Sequence, residues 1–339
     1  MITILSKITR SATLVVALGA ASSALAATQI TGAGASFPAP LYQRWAQEFY
    51  KANPDIQVNY QSVGSGAGIK QFIVGTVNFG ASDAAMTDEE IAQASQGAVM
   101  IPATAGSIVV AYNLPGLPNV KLSREAYVGI FLGKVTKWND PIIAVANPGM
   151  DLPDMDVVVC TRSDGSGTTF VFTKHLAAIS PDFDKEVGEG KAVTWPTGVA
   201  GKGNEGVTAL IKQSPGAVGY VEFGYAKNNG LEMAMLENKS GEFVSPTDES
   251  AAATLASVTL PENLRVWPSD PEGKGNYPIV TFTWLLVYGE YSDAVIKDAV
   301  VKFVTFGLTD GQKFASDLGY VSLPESVIAK AKEALATVK

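Results

Sequence analysis

The chain has 339 residues, of which 47% are apolar and 17% charged, with a single His and a single Cys. The apolar content excludes intrinsic disorder and suits one large core or two ordinary ones, and length alone favours about two domains. One cysteine excludes an internal disulfide framework, one histidine disfavours a histidine-built metal site, and a formal charge of −8 argues against nonspecific nucleic-acid binding.

Residues 1–26 read as an export signal. Lys7 and Arg10 form a basic start, residues 12–21 an apolar run, and Ala24-Leu25-Ala26 a small-residue cleavage signal. The uninterrupted apolar stretch falls short of the ~20 residues that span a bilayer, so cleavage is predicted rather than anchoring. No cysteine lies near the cleavage point to carry a lipid. The remainder keeps 23 basic and 33 acidic residues, a net charge of −10.

Beyond Ala26, strand-like apolar runs alternate with amphipathic segments, which predicts an α/β fold. A strand at 28–31 leads into Gly32-Ala33-Gly34-Ala35-Ser36-Phe37-Pro38, and a helix follows in which Leu41, Trp45 and Phe49 recur every four residues. The strand at 56–60 is followed by Ser62-Val63-Gly64-Ser65-Gly66, and the strand at 79–82 ends on Asp83. Thr87-Asp88-Glu89-Glu90 has the pattern of a capping box. Strands at 107–112 and 156–161 come next, the second running into Arg162-Ser163-Asp164-Gly165-Ser166-Gly167-Thr168. Further strands are predicted at 217–222 and 280–288, and helices at 292–306 and 324–338, the last opened by a capping box from Ser322 to Glu325. Turn-rich stretches at 147–154 and 268–278 are candidate boundary loops. The strands are rich in Val and Ile with little alternation, which suits burial on both faces.

Three of these places share one design: a strand, a small-residue turn with a hydroxyl, then a helix. A helix start offers unpaired N–H donors and about half a positive charge, glycine admits a close ligand, and Ser or Thr adds a rotatable donor. Each turn is therefore either an anion cradle or an ordinary N-cap by Ser36, Ser65 or Ser166, and spacing alone leaves both readings open.

Better-known motifs fail. The first turn lacks the last glycine of a dinucleotide fingerprint, Gly201-Lys202-Gly203 lacks P-loop spacing, and neither Ser65 nor Ser166 lies in G-x-S-x-G. His175 follows Ser166 on one predicted helix at roughly 13 Å along the axis, so the two cannot form a catalytic pair. Ser36 or Ser65 could still meet it in space, but a surface histidine is the expectation. Arg162 is either a solvated strand-end charge or a fork held over the third turn by Asp164. Asp83 alone reads equally as a turn cap. Cys160 is expected to be a buried small hydrophobe.

Seven landmarks in order resemble the periplasmic phosphate-binding proteins of phosphate ABC transporters. They are T-G-A-G-A-S-F-P-A-P at 31–40, N-Y-Q-S-V-G-S-G-A-G at 59–68, F-G-A-S-D-A at 79–84, G-K-V-T-K-W-N-D at 133–140, R-S-D-G-S-G-T-T at 162–169, G-K-G-N-E-G-V at 201–207 and P-G-A-V-G-Y-V-E at 215–222. The resemblance implies a two-lobed α/β protein with a hinge that closes over one phosphate ion, with no cofactor, no metal and no catalytic residue. It implies binding by Ser36, the Phe37 N–H, Ser65, Asp83, Arg162, Ser166, Gly167 and Thr168, with Asp164 tethering Arg162 and Asp83 accepting the phosphate proton. It further implies a discontinuous first lobe (27–112 plus 284–339), a second lobe (113–283), a periplasmic location, and delivery to membrane permease subunits; no segment suggests an obligate interface, so a monomer is expected.

Ser36 stands where many members have Thr, and Ala85 where Pro is common, which predicts a less rigid loop after Asp83. A sulfate- or molybdate-type binder, an exported phosphoryl-transfer enzyme and a secreted phosphate scavenger are the competing readings.

Overall fold

The computed structural model describes residues 27–339, so the predicted export signal lies outside the described residues. The strands are β1 (Thr28–Gly34), β2 (Ile56–Ser62), β3 (Phe79–Ser82), β4 (Val99–Tyr112), β5 (Lys121–Leu122) and β6 (Val158–Arg162). They continue with β7 (Val199–Gly201), β8 (Ala217–Glu222), β9 (Glu232–Met233), β10 (Met235–Glu237), β11 (Phe243–Val244) and β12 (Val280–Val287). The first helices are α1 (Ala39–Ala52), α2 (Ser65–Val74), α3 (Asp88–Gln93), α4 (Arg124–Phe131), α5 (Pro141–Ala144) and α6 (Gly167–Ile179). The rest are α7 (Pro181–Glu186), α8 (Gly203–Gln213), α9 (Phe223–Asn229), α10 (Asp248–Ala256), α11 (Ala294–Gly307) and α12 (Glu325–Leu335).

One large sheet runs in the order β2-β1-β3-β12-β4-β8-β6-β7, and β9 joins it beside β4. Its centre is β4, which changes partner along its length. Val99 to Ser107 pair with β12, whereas Ile108 to Tyr112 pair with β8. The single strand therefore belongs to two halves: parallel β2-β1-β3 on one side, parallel β6 with β7 and β8 on the other. This is the α/β architecture expected from the alternating segments.

β4 begins at Val99 rather than at the predicted residue 107, and carries Pro102 and Gly106 within its length. The ladder accommodates Pro102 at an irregularity where the β12 register shifts between Thr283 and Trp284. The β3–β12 register, with Trp284 opposite Ser82, sets Thr283 beside Asp83, a point used below.

Burial follows the sequence pattern. Leu41, Trp45 and Phe49 of α1 are all buried; Phe49 packs edge-on against Phe303 of α11 with ring centres 5.6 Å apart. The Trp45 Nε1–H donates to the Gly311 carbonyl at 2.8 Å, so the C-terminal part of the chain is fastened to α1. Each such side chain contributes about 1.5–3 kcal/mol by leaving water. In the other half, Phe172 stacks on Tyr220 at 4.4 Å, and the Trp138 Nε1–H donates to the Gly216 carbonyl.

The Thr87 capping box forms as predicted, with Thr87 accepting from the Glu90 N–H and Glu90 from the Thr87 N–H. The second predicted box does not form: α12 starts after Pro324, and Ser322 Oγ donates to the Gln312 carbonyl instead. The stretches 147–154 and 268–278 contain neither helix nor strand. Among the described residues no helix is long and apolar enough to cross a membrane.

Candidate functional site

The three glycine-hydroxyl turns converge where the two halves of the sheet meet, and their hydroxyls are not used alike. Ser166 caps α6, its Oγ accepting from the Thr169 N–H at 3.0 Å. Ser36 and Ser65 cap nothing: α1 and α2 start after Pro38 and Gly64, neither with a side-chain cap. Both serines are buried all the same. A buried hydroxyl left out of capping must be satisfied elsewhere, and here both face the opposite chain segments.

The first turn is aimed by tyrosines. Tyr60, Tyr225 and Tyr320 donate to the carbonyls of Ala35, Ser36 and Phe37 at 2.7, 2.7 and 2.6 Å. In a planar trans peptide the N–H points opposite its C=O, so these bonds turn the Ser36 and Phe37 amides the other way. The Ser36 Oγ accepts twice from Asn204, from its N–H at 3.0 Å and its Nδ2 at 2.9 Å, and keeps its own proton to donate.

The second and third turns touch directly. The Gly66 N–H donates to the Gly165 carbonyl at 2.8 Å. Gly64 has φ +87° and a Cβ there would lie 2.2 Å from Asp164 Oδ2, so only glycine permits the approach. A Cβ on Gly167 would lie 2.5 Å from Ser65 Oγ and 2.8 Å from the Asp83 backbone nitrogen. The N–H groups of Gly167 and Thr168, in the first turn of α6, have no intrahelical acceptor.

Arg162 is a held fork, not a solvated charge. Its side chain is 1% exposed; Nε donates to Asp164 Oδ1 at 2.8 Å and Nη2 to Oδ2 at 2.7 Å. Nη1 is thereby pointed into the site, reaching Thr168 Oγ1 at 3.3 Å. Burial raises the Asp164 carboxyl, but the guanidinium and the Gly203 N–H outweigh it and hold the group below the usual carboxylate range. The pair is close to neutral as a unit.

Asp83 faces this fork from the other half. It is buried, with Oδ1 accepting from Thr283 Oγ1 at 2.8 Å and Oδ2 from Thr168 Oγ1 at 3.5 Å. Burial pushes its pKa up to about 7, against the downward pull of Thr283, Arg162 and Thr168. The Asp83 N–H donates to Ser65 Oγ at 3.3 Å, and the carbonyl accepts from Trp267 Nε1 at 3.4 Å. The loop after Asp83, expected to be looser for want of a proline, is tied by the Ala84 N–H to Ser82 Oγ and by Arg265 Nη1 to the Met86 carbonyl.

All nine singled-out residues, Ser36, Phe37, Ser65, Asp83, Arg162, Asp164, Ser166, Gly167 and Thr168, therefore lie around one interface between the halves. Asn204 was missed. Buried at the start of α8, it also donates to Thr168 Oγ1 at 3.2 Å and accepts from the Glu222 N–H at 2.9 Å. It lies inside the landmark at 201–207, and no local motif marks it because its partners Ser36 and Thr168 come from distant segments.

His175 corrects an expectation. It is 1% exposed rather than on the surface, with Nε2 2.9 Å from the Tyr127 hydroxyl, and burial lowers its pKa to about 4. Neither Ser36 nor Ser65 is its partner. Cys160 is buried in β6 as expected, and burial raises its thiol pKa to about 11. Among the described residues no group of three His, Cys, Asp or Glu side chains is placed to hold a metal ion.

A polar interface of backbone amides, hydroxyls and one neutralised arginine, set between two α/β halves, defines a binding-protein class. Residues 19–310 match the PBP superfamily domain. Within it the chain belongs to the PstS phosphate-binding protein family. It is 44% identical to the phosphate-binding protein PstS of Pasteurella multocida, covering 90% of this chain and 89% of that one. Against PstS of Haemophilus influenzae the identity is 43%, covering 90% and 92%. Among solved structures, a phosphate-binding protein from Stenotrophomonas maltophilia superposes with a TM-score of 0.74 at 23% identity, covering 91% of this chain and 94% of that one. The protein PfluDING, solved with phosphate bound, gives 0.74 at 21% identity, covering 90% and 93%.

Burial of Asp83 carries a pH prediction. A carboxyl whose pKa is raised by folding keeps its full stabilising share below its unfolded pKa and loses it as pH rises through the folded one. Between the ordinary 3.8 and about 7, the phosphate-free closed form loses up to about 4 kcal/mol from this group. Because the cost falls on the closed form alone, small-angle scattering of phosphate-free 27–339 is expected to show the closed fraction falling from pH 5 to pH 8 in the unaltered protein and not in Asp83→Asn. The same pH response in both contradicts it.

Proposed function

We propose that this chain is the exported solute-binding component of a phosphate ABC importer, which closes two lobes over one phosphate ion and presents it to membrane permease subunits. Lobe I is placed at 27–112 plus 284–339 and lobe II at 113–283; the change of β4 partners and the return of the chain into β12 support two crossings, with strand pairing putting them at about Ser107 and Val280. The Ser36 and Ser65 hydroxyls, the Phe37, Gly167 and Thr168 amides and Arg162 Nη1 donate to the ion, and the Thr168 hydroxyl turns to it from its long contact with Asp83. The Ser166 Oγ accepts only the Thr169 N–H as it caps α6 and keeps its own proton to donate to the ion, and Asp164 holds the fork. A membrane-exported location rests on the sequence of residues 1–26.

The observation that carries this reading is Asp83, a buried carboxylate facing an arginine fork across the interface. Monobasic and dibasic phosphate each carry a proton that this carboxylate can accept, whereas sulfate has none and meets an unpaired, repelling oxygen. The same argument disfavours a sulfate- or molybdate-type ligand. Dispersed dipoles and one tethered cation hold the ion without a lysine cluster, which is compatible with an acidic surface because distant charges are screened within about 8–10 Å. The role needs no covalent step. Calorimetric titration of 27–339 with phosphate, sulfate and arsenate tests it: phosphate and arsenate are expected to bind and sulfate far more weakly. Equal sulfate binding overturns the assignment.

Lobe closure has its own test. Gly167→Ala places a methyl against Ser65 and Asp83 of the opposite lobe, a steric cost of about 1–3 kcal/mol in the closed form only. Phosphate affinity is expected to fall ~10–100-fold, while small-angle scattering shows the variant remaining expanded when phosphate is added. Unchanged affinity contradicts closure through this contact.

A further inference from the structure

We propose that Lys191 is a positioning residue for phosphate capture, joining the two lobes through Glu90 and slowing release of the bound ion. The inference rests on the phosphate-binding reading above. Lys191 lies outside the anion shell, in the loop after α7. Its Nζ pairs with Glu90 Oε1 on α3, across the cleft, with both side chains half-buried. Its backbone carbonyl accepts the Ser166 N–H at 2.7 Å, directly at the cap of the α6 turn. One residue therefore touches both the opposite lobe and the peptide that shapes the anion turn.

Each end of the link is braced. The Gly190 N–H donates to Thr173 Oγ1 at 3.1 Å, and Thr173 donates to the Thr169 carbonyl at 2.8 Å, so the loop is fastened to α6. Glu90 divides its carboxylate, with Oε2 in the capping box and Oε1 on the lysine. A second cation grips the same helix start: Arg265 Nη2 meets Asp88 Oδ1 at 2.8 Å while Nη1 bonds the Met86 carbonyl. The α3 start is four residues past Ala84, so opening the cleft at Asp83 also breaks these pairs. A half-buried pair between bodies that separate acts on release more than on encounter.

The test is release of radiolabelled inorganic phosphate into excess unlabelled phosphate, using 27–339 and a double-mutant cycle of Lys191→Met and Glu90→Gln. Gln keeps the capping box while removing the charge. Each single change is expected to speed release about three- to fivefold, and the double change no more than either alone. Raising NaCl from roughly 0.05 to 0.5 M is expected to speed release from the unaltered protein and not from Lys191→Met. Phosphate-free melting temperatures stay together, which a merely structural lysine does not predict. Unchanged release, or single effects that multiply, overturns the latch while leaving phosphate binding intact. An unaltered protein that retains no label overturns the phosphate reading, and the latch with it.

Discussion

Asp83→Asn is expected to weaken phosphate binding by about tenfold or more and to raise sulfate affinity, so that the preference between them drops ~100-fold. In the proposed role the carboxylate is the acceptor that distinguishes a protonated oxyanion from a fully ionised one. Asn offers the same size, one acceptor and an NH2 that donates to a bare sulfate oxygen. Because the group is buried and bonded to Thr283, its position survives the change through the amide oxygen. Competition calorimetry measures both affinities in one protein. A phosphate-to-sulfate ratio equal to that of the unaltered chain contradicts the role given to Asp83.

Arg162→Met has the second large effect, and it acts on affinity and stability separately. Affinity should fall ~100-fold, since a charge-assisted hydrogen bond contributes about 1.5–3 kcal/mol and other donors remain. Stability should fall as well, because Asp164 is left half-buried without its fork; breaking a buried pair by removing one partner costs about 3–5 kcal/mol. Arg162→Met with Asp164→Asn separates the two, recovering most of the melting temperature but none of the affinity. Recovery of both, or of neither, contradicts a neutral pair that lends one N–H pair to the ligand. Arg162→Lys is expected to resemble Met, since an ammonium cannot fork to Asp164 and still present a second nitrogen.

The parts of this site that were legible in the sequence are local ones. Arg162 and Asp164 are two residues apart at a strand end, so their pairing follows from short spacing. Strands β1, β3, β8 and β12 announce themselves as apolar runs, and the α/β class follows from their alternation. What remained hidden depends on segments distant in the chain. Asn204 matters because Ser36 and Thr168 close on it from elsewhere. The tyrosines that orient the first turn come from β2, α9 and the segment before α12. His175 looks polar in a one-dimensional reading and is buried because Tyr127 of another helix covers and bonds it. Whether Ser36 and Ser65 were caps could be decided only from where α1 and α2 start.

The central claim is that one buried carboxylate and one tethered guanidinium meet across the lobes on a protonated tetrahedral ion. A crystal structure of 27–339 with phosphate, grown near pH 8, tests it most directly. The account predicts one phosphate oxygen within hydrogen-bond distance of an Asp83 carboxylate oxygen and the others on Arg162, Ser36, Ser65 and the α6 amides. A phosphate seated elsewhere, or an Asp83 carboxylate turned away from it, contradicts the account.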